Sequence, residues 1–158
     1  MDLGLDTRPD DGVVVPVDVG APAVPDPGGV IPGDADPSRR HLLEDLLRGL
    51  GDAVPDIAGA VVASGDGLPI AGTIDGADLA RVAAMTASVI GLSARATETV
   101  GVGGCTETVI RGVDGYLVVY GAGSGAALSV SARAGANLGL LHLEARDAAI
   151  RLGDLLSG

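Results

Sequence analysis

Three short glycine-containing breaks, SGDG at Ser64–Gly67, DG at Asp114–Gly115 and GSG at Gly123–Gly125, each separate two apolar runs in the body of the chain. Gly and Asp-Gly accept the positive φ angles that a tight two-strand turn demands, so each break reads as a hairpin turn. The flanking runs then read as strands: residues 57–63 and 68–74, residues 106–113 and 116–122, and residues 126–132. Alternation in Thr106–Val113 predicts an edge strand. The continuous apolar run in Tyr116–Ala122 predicts a central one.

The same breaks bear on chemistry. A phosphate-binding loop of the P-loop or Rossmann kind lies between a strand and a helix, because it uses the free backbone N–H groups of the helix start. Here the glycines lie between strands, and no Gly-Lys-Ser/Thr follows them. They are expected to turn the chain rather than hold a nucleotide.

Helical patterns surround the strands. HLLEDLLRGL carries leucines at 42, 43, 46, 47 and 50, the spacing of an amphipathic helix, with Ser38 as the expected N-cap and Gly51 and Pro55 as its end. Asp75 or Asp78 starts a second helix reaching about Thr99, where GVGG breaks it. Asn137 caps a third, running to about Leu156, with Leu138, Leu141, Ala145, Ala148, Leu152 and Leu155 on one stripe and Asp147 spaced to pair with Arg151. The order α-β-β-α-β-β-β-α predicts an α+β fold: a five-stranded, mainly antiparallel sheet flanked by three helices. Phe and Trp are absent, and aromatic residues make up 1% of the chain. The core is therefore expected to consist of Ala, Val, Leu and Ile.

Residues 1–37 differ in kind. They hold seven of the nine prolines, eight Asp and one Arg, and read as a disordered acidic tail ahead of a domain at residues 38–158. Within the tail, VVVPVDV at Val13–Val19 has strand propensity, although Pro16 lacks a donor; it is a candidate docking or partner-binding segment. The formal net charge of −11 argues against nucleic acid. No secretory signal is read at the N-terminus, and the longest uncharged helical run, Val82–Ala94, is short of the roughly 20 residues of a membrane span. A cytoplasmic protein without membrane insertion is expected.

Candidate catalytic groups are few. Cys105 is the one cysteine, and His41 and His142 are the sole histidines that could serve as its base, on the first and last helices. Cys105 reads as a small apolar residue at a strand start, and Glu98, Glu107 and Glu144 as parts of solvated faces. No metal-ligand spacing is visible, so neither catalytic residues, metal nor cofactor is expected.

The second helix is the most informative segment. VAAMTASVIGLSA, residues 82–94, carries no charge, whereas a helix with one buried stripe should show charges on its other side. Such a helix is expected to cover its own sheet with one face and a second copy of the chain with the other. Val82, Met85, Thr86, Val89 and Ile90 are the candidate self-association residues. Arg81, Ser88 and Arg95 are the candidate partner-binding residues, and an arginine of this helix could stabilise phosphoryl-transfer charge.

Four strings carry a resemblance: AVVASGDGLPIAG (60–72), LARVAAMTASVIGLSARA (79–96), DGYLVVYGAGSGAALSVSA (114–132) and ANLGLLHLEARDAAIRL (136–152). In this order they resemble the roadblock/dynein light chain family, in its prokaryotic branch that includes gliding-motility partners of Ras-like small GTPases. The resemblance spans about residues 41–156. It implies a homodimer whose sheets and second helices meet, acting without an active site of its own as a scaffold, regulator or GTPase-activating partner of a small GTPase. Two alternatives share the fold. One is a small-ligand sensor, for which Thr86, Ser129 and Ser131 are the candidate polar cluster; the other is a plain assembly module recruiting partners through the acidic tail.

Overall fold

The computed structural model of the chain describes residues 36–74 and 76–157. The expected tail at residues 1–35, its Val13–Val19 segment and the Asp75 helix start lie outside the described residues.

Helix α1 spans Pro37–Ala53. Its N-cap is Asp36 rather than Ser38: the Asp36 carboxylate accepts from the Ser38 N–H at 3.0 Å. The reason is Pro37, which fits the first helical position because a donor there has no intrahelical acceptor. The helix passes through Gly51 and ends at Val54, whose N–H donates to Leu50 O, just ahead of Pro55. Leu43, Leu47 and Leu50 are buried, while Leu42 is exposed.

The strands are β1 (Ile57–Ser64), β2 (Pro69–Gly72), β3 (Glu107–Arg111), β4 (Gly115–Gly121) and β5 (Ala126–Arg133). They form one sheet in the order β2-β1-β5-β4-β3, with every neighbouring pair antiparallel. The strand read as an edge, β3, is an edge. The strand read as internal, β4, lies between β5 and β3.

The turn chemistry differs between hairpins. At SGDG only Gly67 takes a positive φ, +87°, and Asp66 does not. A Cβ on Gly67 would also lie 3.2 Å from the Ala84 backbone, so this hairpin presses against the helix that follows β2. At DG, Gly115 keeps a negative-φ backbone and is needed for space, since a Cβ there would strike the Ala132 carbonyl oxygen.

Helices α2 (Gly76–Thr99) and α3 (Leu138–Ser157) complete the domain. Asn137 caps α3 as expected, its Oδ1 accepting from the Leu140 N–H at 3.1 Å, and Arg151 lies 3.6 Å from Asp147.

Alternation along the strands divides the sheet into two faces. On one, Ala60, Val62, Val118, Tyr120, Leu128 and Val130 pack with Leu43 and Leu47 of α1 and Leu141, Ala145 and Leu152 of α3. On the other, α2 packs across the sheet over a smaller cluster of Val61, Ala63 and Ala83, joined by Ile74, Leu79 and Val82. Among the described residues the helices lie two on one face and one on the other, so α2 is the one helix over the second face.

Candidate interaction surface

Helix α2 has two sides of different chemistry. Its inner side places Ala83 and Thr86 against the sheet, both 1% exposed or less. Thr86 Oγ1 hydrogen-bonds Val82 O at 2.7 Å and Ser129 Oγ of β5 at 2.8 Å, and Ser129 Oγ donates in turn to Val61 O at 3.4 Å. A buried hydroxyl pair of this kind is fully partnered within the chain. Thr86 is therefore an internal contact and does not reach the surface proposed for self-association. Val82, Val89 and Ile90 are half-buried at the margin of the sheet, with Val82 packed on the Val61–Ala63–Ala83 cluster.

The outer side presents Arg81, Ala84, Met85, Ser88, Leu92 and Arg95, all exposed. Met85 is 46% exposed and Leu92, one heptad on, 63%. Hydroxyls along the helix fold back on it: Ser88 Oγ, between the two, donates to Ala84 O at 2.9 Å, and Thr99 Oγ1, beyond Leu92, to Arg95 O at 2.7 Å. Hydroxyls folded back in this way leave methyl and methylene groups outward. Arg81 Nη1 lies 3.3 Å from Asp78 Oδ1, a solvent-exposed pair of small energetic weight.

From α2 the chain runs through exposed Val100 and Val102 into β3. No β3 residue is fully buried, and Val109 and Ile110, on opposite faces, are 46% and 43% exposed. The outer backbone edge of β3 has no strand partner among the described residues. Val109, Ile110 and Leu92 were not among the residues read from the sequence as candidates. The i+7 spacing of Leu92 from Met85 is the signal that could have found it.

A polar junction lies at the start of β3. Glu107 is not part of a solvated face: its side chain is 19% exposed and its Oε2 accepts from Arg146 Nε at 2.8 Å, with Nη2 also at 2.8 Å. Its Oε1 lies 3.6 Å from His142 Nδ1, which also meets Tyr120 Oη at 2.7 Å. Burial, then the Glu107 charge, pushes the Tyr120 phenol well above its ordinary value, opposed by Arg146. The hydroxyl thus stays protonated and available to donate to the imidazole.

The remaining candidates are scattered. Cys105 Sγ donates to Glu107 O at 3.5 Å and contacts Thr108 Oγ1 at 3.6 Å, while His142 is held by Tyr120 and Glu107 and His41 stands exposed on α1. The structure does not join the three as nucleophile and base. Ser131 Oγ donates to Gly59 O at 3.2 Å, so the Thr86–Ser129–Ser131 set is taken up by internal bonds. An open depression of about 320 Å³ lined by Ile70, Ala122, Ser124, Gly125, Ala126, Leu156 and Ser157 carries no charged group. Among the described residues, no group of three or more His, Cys, Asp or Glu could hold a metal ion, and no helix is long and apolar enough to cross a membrane.

With this geometry in place, comparison with known proteins is decisive about lineage. The family model described as the Roadblock/LC7 domain matches residues 43–132, more than half of the chain. The chain belongs to the Roadblock/LC7 domain family. The match runs from within α1 to the penultimate residue of β5 and so takes in all five strands but for Arg133. A Roadblock/LC7 domain from Streptomyces avermitilis shares 27% identity at a TM-score of 0.70, covering 73% of this chain and 98% of that one. The gliding protein MglB from Thermus thermophilus has the same fold at a TM-score of 0.68 and 18% identity, covering 76% of this chain and 92% of that one. An uncharacterized protein of Methanocaldococcus jannaschii is 33% identical over 97 residues, covering 61% of this roadblock chain and 81% of its own length.

Proposed function

We propose that this roadblock domain is a non-enzymatic, homodimeric scaffold or regulator of a Ras-like small GTPase. Two copies meet along β3 and the Met85–Leu92 part of the outer side of α2, where Ser88 is taken into the contact, and Arg81 and Arg95 at the two ends of that stripe are left to face the GTPase. The observation that carries the reading is the open β3 edge beside an α2 whose outer side is made of Met85, Leu92 and small residues. An unpaired strand edge invites pairing, and an apolar helix face beside it adds area that a second copy can bury. Of the sequence candidates, Met85 is the central contact; Val82, Val89 and Ile90 flank it from half-buried positions, and Thr86 supports the helix from within.

The GTPase assignment rests on family membership and on the fold shared with MglB. A protein that acts by being bound needs surfaces rather than a catalytic constellation; Cys105 Sγ bonds the Glu107 carbonyl and His142 the Tyr120 hydroxyl, each a contact within the fold.

The test is direct. Immobilised chain is exposed to the small GTPase of the same cell, loaded with GDP or with a non-hydrolysable GTP analogue, and hydrolysis of GTP is followed with and without the chain. Nucleotide-dependent capture, weakened by charge reversal at Arg81 and Arg95, is the expected result. Absence of capture in both nucleotide states contradicts the assignment.

A further inference from the structure

We infer that Glu107 is a positioning residue for self-association, acting through Arg146 and His142 to hold the free edge of the sheet in a pairable shape. The inference rests on the proposed pairing through β3.

Strand β3 has little else to hold it. Among the described residues its backbone is bound on one side only, by the ladder from Glu107↔Tyr120 to Arg111↔Tyr116, and its later residues, Val109 to Arg111, are exposed. The junction at its first residue is different. Glu107 accepts from Arg146 Nε on one oxygen, with Nη2 2.8 Å from the same atom, and approaches His142 with the other oxygen. His142 meets Tyr120, the residue paired with Glu107 across the ladder. The start of β3 is thereby tied both to α3 and to β4. All three links lie between residues distant in sequence, so they fix tertiary position rather than local conformation.

A strand that is already held flat loses less freedom when a second copy pairs with it, and that saving appears in the association constant. The pair is also placed to affect folding little. The Arg146 side chain is 58% exposed and remains hydrated when its partner is removed. Loss of the carboxylate should therefore loosen the strand start more than it unfolds the domain.

The experiment uses the full chain and two readouts, the dimer dissociation constant from sedimentation equilibrium and amide hydrogen exchange of residues 107–111. Circular dichroism checks that each variant is folded at the working temperature. Glu107→Ala is expected to weaken association about tenfold and Glu107→Gln about threefold, each with faster exchange in β3. Arg146→Gln should resemble Glu107→Gln, and the double variant should be no worse than either single, since both break one link. Arg151→Gln, which breaks only the exposed pair with Asp147 on the same helix, should change neither readout. A dimeric wild type whose folded Glu107→Ala variant keeps the same dissociation constant overturns the inference alone. A wild type that is monomeric throughout overturns the self-association reading, and this inference with it.

Discussion

The two edges of the sheet are built to opposite ends. Strand β2 has four residues, opens on Pro69, which has no N–H to offer, and pairs with β1 through a register shift between Val62 and Ala63. Helices α1 and α2 both pack on it. Strand β3 is free of proline, keeps an unbroken register with β4, and carries Thr108, Val109 and Ile110 in succession, with the last two in solvent. Shortness, proline, a bulge and cover by helices are the means by which proteins block strand addition. Strand β2 has all four; β3, among the described residues, has neither proline nor bulge and is covered by α2 alone, so growth ends at β2 and β3 is left as the place where a second chain can add.

The largest expected effect comes from closing the open edge. Changing both Val109 and Ile110 to Lys puts a charge on each face of β3 and should weaken self-association about a hundredfold, or abolish it, without unfolding the domain, because neither side chain is buried. Light scattering across a concentration series reads this, and a variant that remains dimeric breaks the comparison. Next is the helix beside that edge. Met85→Asp or Leu92→Asp should each cost about tenfold in association, with an unchanged thermal midpoint at concentrations low enough for the unaltered chain to be monomeric, since both residues already face water in the single chain.

Thr86→Ala tests the other side of the same helix. It removes one hydroxyl of the buried pair, leaving Ser129 Oγ only its 3.4 Å bond to Val61 O, and should destabilise the fold by about 1–2 kcal/mol, read by urea unfolding. Its effect on association, measured where the variant is folded, should be smaller than that of Met85→Asp. The smallest effect is expected at the closed edge: Pro69→Thr restores a donor to β2 but leaves its brevity, bulge and helical cover, so association should change less than about twofold. A clear gain in higher oligomers from this change would show that proline alone guards that edge.

What the sequence made legible was local. Asp-Gly and Gly-Ser-Gly breaks located the hairpins, leucine spacing located α1, and alternation placed β3 at an edge, because each signal is written within a few residues. Local rules misjudged the α1 cap, where Pro37 shifted the start and made Asp36 the acceptor. They also predicted two faces for α2 but placed Thr86 on the outer one. Thr86 lies inside because Ser129, forty-three residues away, supplies its partner, and no pattern within the helix announces that. Glu107 was read as solvated for the same reason: Arg146 lies thirty-nine residues away on α3. The candidate surface was thus found by its lack of charge, while its division into inner and outer residues, and the clamp at its border, depended on tertiary placement.

The most direct measurement is sedimentation equilibrium of the unaltered chain from low to high micromolar concentration, with hydrogen exchange at residues 107–111 followed in the same samples. The account predicts a dimer with protection of the β3 amides that rises with the dimer fraction. Single chains at every concentration, with β3 exchanging at one constant rate, would contradict it.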